Sequence, residues 1–207
     1  MKKFINVSPF QPPKYLVAGI YKAVDNDRLK YENETSFPII PVINGYVEKG
    51  EEITIITIVS AHENSIINYK TFKNAVNELA EKNSFKVNFE EINIPFDNSL
   101  EVQLDVFRQL ISLISDNDKL FCDITFGTKV TNQVLTMSVN FGYRVCKDVI
   151  PGCIVYGEKD HNTGEMKIYD ITSLVYLDEF VRVAAESGIG NPLTAIKMMM
   201  NWGEEDA

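Results

Sequence analysis

The chain is poor in residues that staple or ligate. Three cysteines (Cys122, Cys146, Cys153) and two histidines (His62, His161) are spread over 207 residues. The thiols are odd in number and show no paired metal-ligand spacing, which argues against a disulfide framework and a metal site; no cofactor is expected. Unpaired thiols suit a reducing compartment, so the sequence reads as cytoplasmic. Long apolar runs are missing too. None reaches the roughly 20 residues of a membrane span, and the basic start Met1-Lys2-Lys3 meets polar and proline-rich sequence too soon for a signal peptide. Positive charge is scarce, with 20 Lys and Arg against 29 Asp and Glu and a net charge of −9. Duplex nucleic acid is therefore not an expected partner, nor is a membrane, whereas a small anion held by a few convergent donors remains compatible. No Gly-x-Gly-x-x-Gly follows the first apolar segment, which disfavours a standard nicotinamide enzyme.

What is present is an alternation of short β-branched runs with amphipathic segments. Strand patterns cover 3–8, 53–59, 85–94, 120–122, 154–156 and 166–171. Among them the run Ile53-Thr54-Ile55-Ile56-Thr57-Ile58-Val59 reads as central and buried. Helical spacing covers 65–83, 100–114, the segment after Thr128, 173–186 and 193–202, with a shorter helix beginning near Thr35 or Ser36. Residues 100–114 present Leu100, Leu104, Phe107, Leu110, Ile111 and Ile114 as their apolar face, and residues 173–186 present Leu174, Leu177, Phe180, Val181 and Ala184. The stretch 15–31, around Asp25-Asn26-Asp27, reads as a small hairpin or loop insertion. Together these predict an α/β three-layer sandwich with a Rossmann-like, mostly parallel sheet and a late antiparallel hairpin. The main domain would span 1–188, followed by a short C-terminal helix or tail over 189–207. That tail, with Met198, Met199, Met200 and Trp202, is apolar enough to need a partner surface.

The stretch richest in possible chemistry is Asp123-Ile124-Thr125-Phe126-Gly127-Thr128-Lys129, between a short strand and a helix. Gly127 permits a tight turn and close approach of a ligand, Thr128 can cap the helix, and first-turn amides beside Lys129 suit a phosphate. The same spacing also fits a plain strand-to-helix turn with lysine on the solvated side. After the first strand, Ser8-Pro9-Phe10-Gln11-Pro12-Pro13 must be a loop, and in an open α/β sheet such a loop lines the ligand crevice. That makes Ser8, Phe10 and Gln11 candidate contacts, although a proline-stiffened exit from an edge strand gives the same pattern. His62 follows the long β-branched run and is either a contact or a solvent-facing loop residue.

The Asp-Ile-Thr-Phe-Gly-Thr-Lys turn resembles the Asp/Asn-hydrophobic-Thr-x-Gly-Thr-Lys turn of CARF domains, which sense cyclic oligoadenylates in type III CRISPR defence. Val155-Tyr156-Gly157 and Ile168-Tyr169-Asp170-Ile171-Thr172-Ser173-Leu174 also resemble that family in order and spacing. Phe126 departs from the pattern, standing where a small residue is frequent. The resemblance implies a homodimer that binds a cyclic oligoadenylate, with cyclic tetra-adenylate the expected ring. Contacts would come from Phe10, Gln11, His62, Thr125, Phe126, Gly127, Thr128 and Lys129. It further implies a ring nuclease in which Ser8 and Lys129 promote attack by the ribose 2′-hydroxyl without a metal. A sensor that does not cleave and acts through a partner, or an unrelated Rossmann-like nucleotide enzyme, are the competing readings.

Overall fold

The computed structural model describes residues 1–160, 162–189 and 191–201. His161 and Trp202, and the side chains of Met198, Met199 and Met200, lie outside the described residues. The described chain forms two units, Met1–Ile171 and the segment from Thr172 onward. The first contains the strands β1 (Lys2–Val7), β2 (Tyr21–Ala23), β3 (Glu52–Ser60), β4 (Lys86–Ile94), β5 (Lys119–Asp123), β6 (Ile150–Lys159) and β7 (Met166–Asp170). It also holds the helices α1 (Ile39–Tyr46), α2 (Glu63–Asn83), α3 (Leu100–Ser112) and α4 (Lys129–Val145). The second unit holds α5 (Ser173–Glu186) and α6 (Pro192–Asn201). Among the described residues no helix is long and apolar enough to cross a membrane.

The strands make one sheet in the order β2-β7-β6-β5-β1-β3-β4. Neighbours from β6 to β4 pair in parallel, and β7 runs antiparallel to β6 as the hairpin partner. The fold is thus α/β with a Rossmann-like, mostly parallel sheet. Both faces of β3 are covered, which is why its β-branched run does not alternate with polar residues: Ile53, Ile55, Ile56 and Ile58 are all fully buried. On one face Phe4, Ile53, Ile55 and Phe121 pack with Ile39 and Ile43 of α1 and Phe72 and Val76 of α2. On the other, α4 approaches so closely that a Cβ on Gly142 would stand 3.1 Å from Leu120 and 3.0 Å from Ile114. After β1 the chain places β2 at the far edge, adds β3 and β4 on one side of β1, and then returns to β5 on the other. The carboxyl ends of β1 and β5 therefore flank the topological switch point, where an open α/β sheet leaves a crevice.

Several expectations change. The β-branched run is interior but second from the sheet edge, because β4 adds only one strand beyond it. Residues 15–31 do not form a hairpin. Tyr21, buried, anchors β2 in parallel beside β7, and Asn26 starts a 3-10 turn while its Nδ2 donates to Asp170 Oδ2 (2.6 Å) and Tyr46 Oη (2.8 Å). The first helix begins at Ile39, since Thr35 Oγ1 accepts from Phe37 N at 3.1 Å and holds a turn before it. In α3 the buried stripe is Gln103, Val106 and Leu110, while Leu100 and Leu104 are 74% and 51% exposed. A polar residue in a core position hid the true phase of that helix. In α5 the buried residues are Val175 and Ala184, with Leu174 and Val181 exposed.

Candidate functional site

The turn that leaves β5 is held from three directions. Asp123, at the strand end and only 2% exposed, accepts a 2.8 Å hydrogen bond from Thr125 N, which bends the chain as an Asx turn. Thr125 Oγ1 accepts from Gly157 N at 2.7 Å and ties the turn to β6. Asn132 Nδ2 reaches back from α4 to donate to Ile124 O at 2.8 Å. Gly127 has φ of 96°, and a Cβ there would lie 3.0 Å from Val7 Cγ1, so both backbone conformation and space call for glycine. Thr128 caps α4, its Oγ1 accepting from Thr131 N at 3.1 Å. The capping leaves the amides of Lys129 and Val130 at the open end of a 17-residue helix. Lys129 is exposed and forms no ion pair among the described residues.

Across the switch point, the loop leaving β1 is fastened to α2. Asn68 Nδ2 donates to Pro9 O (2.8 Å) and Gln11 O (2.9 Å), and Asn64 Nδ2 donates to Phe10 O (3.2 Å). Ser8 is buried, and its Oγ donates to Ser65 O at 2.7 Å. His62 is the N-cap of α2, its Nδ1 accepting from Asn64 N at 3.2 Å. Its ring stands 4.9 Å from that of Phe96.

Two cavities flank the β5–α4 turn. Ser8, Phe10, Gly127 and Thr128 line a narrow one of about 30 Å³, room for little more than a water molecule. Gln11, Thr125 and Phe126 line an open cleft of about 380 Å³ together with Tyr15, Tyr156 and Lys159, which is within the range of small-ligand sites. The candidate residues from the β1 loop and the β5–α4 turn are thus gathered around one crevice but divided between its two sides. Lys129 and His62 line neither cavity. The first follows Thr128 at the helix start, and the second stands behind Phe10 and Phe96. Sequence reasoning missed Tyr15, Phe96, Thr131 and Lys159 as lining residues. The Pro95–Ser99 break was a usable signal for Phe96, because it follows a parallel strand on the crevice side. Among the described residues no group of three or more His, Cys, Asp or Glu could hold a metal ion.

Burial pushes the Asp123 carboxyl up to about 6, against the opposing pull of hydrogen bonds from Thr125 and from the Ile39 amide. An unfolded aspartate titrates near about 3.9. Between these values the native state keeps a proton that the unfolded state has lost, so stability falls as pH rises through the window and levels off above it. The urea midpoint of the wild type relative to Asp123→Asn is expected to drop from pH 4 to pH 7. A gap independent of pH would show that Asp123 titrates normally. Neither a family model nor a curated protein matches this chain.

Proposed function

We propose that the protein binds a cyclic oligoadenylate, of which cyclic tetra-adenylate is the best candidate, in the switch-point crevice, as part of type III CRISPR antiviral signalling. The observation that carries this reading is the convergence of the Thr125–Lys129 turn and the Ser8–Gln11 loop on that crevice, beside a cleft large enough for a nucleotide. The open amides of α4 and Lys129, which has no ion-pair partner among the described residues, would take phosphate, and the exposed rings of Tyr15 and Tyr156 offer faces to bases. A ring of several nucleotides exceeds what one such turn surrounds, so the reading includes a homodimer presenting the same donors twice about a two-fold axis.

Binding is favoured over cleavage by the state of Ser8, whose hydroxyl proton is committed to Ser65 O inside the protein. Cleavage by the ribose 2′-hydroxyl would need that bond to open before Ser8 could orient the ring. The test is titration of wild type and Lys129→Ala with labelled cyclic tetra-adenylate, followed by separation of products after long incubation in EDTA. The lysine variant is expected to stay folded and to bind about 10- to 100-fold more weakly, as for the loss of a charge-assisted phosphate contact. Equal affinity in the two proteins would remove Lys129 from the site. Intact ring supports a sensor, whereas a linear product with a 2′,3′-cyclic phosphate supports the metal-independent ring nuclease.

A further inference from the structure

The side of the crevice away from the open cleft carries an aromatic group that the proposed function leaves unused. Phe96, in the break between β4 and α3, is 59% exposed. Its ring lies 5.7 Å from Phe10 at 61° and 4.9 Å from His62 at 56°. Phe10 and His62 are themselves 6.4 Å apart and steeply inclined. Each neighbour is in turn fixed by α2, Phe10 through its carbonyl to Asn64 and His62 as the helix cap. A large apolar ring held at defined tilt by two others, yet left mostly open to solvent, is already ordered for stacking and loses little entropy on contact.

The polar groups beside it separate one end of a nucleotide from the other. Phe96, Asp97 and Asn98 line the same narrow cavity as Gly127 and Thr128. Asp97 is fastened by Ser99, whose N and Oγ donate to its two oxygens at 3.0 and 2.7 Å, and those bonds keep its carboxyl below the usual range. A fixed negative charge repels phosphate and accepts from an exocyclic amino group. The side-chain amide of Asn98 adds a donor and an acceptor, the pair that matches N7 and N6 of adenine. Phosphate therefore belongs at the Gly127–Lys129 end and a base at the Phe96–Asn98 end. The cavity itself is too small for a purine, so the base lies on the ring at its mouth.

Resting on the proposed function, we infer that Phe96, braced by Phe10 and His62, is a stacking platform for an adenine base of the ligand, with Asp97 and Asn98 facing the amino edge of that base. The experiment compares wild type with Phe96→Tyr, Phe96→Leu and Phe96→Ala in titrations with cyclic tetra-adenylate. Phe96→Tyr keeps a ring face and is expected to bind like the wild type. Phe96→Leu keeps apolar bulk without the ring face, and it should lose about 5- to 100-fold, as should Phe96→Ala. Wild-type affinity in the leucine and alanine variants overturns the platform while leaving the proposed function in place. Equal losses in all three substitutions also overturn it, because they would mark Phe96 as a loop anchor and not a stacking face. Absence of binding by the wild type overturns the proposed function and this subsite with it.

Discussion

Asp118→Ala is expected to lower the free energy of unfolding by about 3–5 kcal/mol, the usual consequence of stranding one member of a buried ion pair. Asp118 immediately precedes β5 and is almost fully buried. Its Oδ2 lies 2.6 Å from Lys3 Nζ and also accepts from Ser115 N at 2.7 Å. Lys3 projects from β1, where its side chain is 11% exposed, and donates a further hydrogen bond to Leu113 O. The pair therefore closes the amino-terminal end of the two central strands, opposite the crevice. Without the carboxylate the ammonium would remain in a site from which water is largely excluded. The double substitution Lys3→Met with Asp118→Leu removes both buried charges and leaves only the half-exposed amino group of Met1, 3.2 Å from Asp118 Oδ1, to be taken up by water. It is expected to recover most of the loss, since an apolar pair of similar volume commonly replaces a buried salt bridge at little cost. Urea midpoints would check both statements. A single variant within about 1 kcal/mol of wild type would place the pair in the class of solvated surface bridges.

The extent to which this architecture is legible in the sequence depends on how local its causes are. The parallel core declares itself through Ile53–Val59, because a strand covered on both faces places apolar residues on both sides of the pleat, here Ile53 and Ile55 on one and Ile56 and Ile58 on the other. The hairpin of β6 and β7 follows from two strand patterns around a polar turn. The Gly127–Thr128 junction follows from a glycine with positive φ next to a threonine cap. By contrast, β2 is only three residues long and exists because Tyr21 packs beneath the hairpin and β7 offers an edge, neither of which is local information. Gln103 misplaces the face of α3 because a buried glutamine has no mark in periodicity that distinguishes it from a solvated one. At the site, spacing singles out the two loops, while their meeting depends on strand order. That Ser8 gives its hydroxyl to Ser65 O, and that Phe96 joins the crevice at all, follow from how α2 and β4 lie beside β1 and β3.

Gly127→Ala is expected to disturb both stability and ligand binding, which sets it apart from Lys129→Ala. An alanine at φ of 96° sits in backbone space that non-glycine residues rarely occupy, at a strain of roughly 1–3 kcal/mol. Its methyl group would meet the side chain of Val7 at 3.0–3.2 Å, and Val7, buried and paired with Ile58 of β3, has little room to retreat. The turn must give way instead. Displacing it moves the Thr128 cap and the open amides of Lys129 and Val130, the donors that the proposed phosphate contact requires. The variant should therefore show a lower urea midpoint together with at least about a tenfold loss of affinity for cyclic tetra-adenylate, equivalent to about 1.4 kcal/mol. Adding Val7→Ala makes room for the methyl group but leaves the backbone strain, so the double variant should regain only part of the affinity. Full recovery would mean that crowding alone demands glycine here. Wild-type stability and binding in Gly127→Ala would mean that the turn accommodates a side chain, removing the basis for a rigid phosphate cradle at this position.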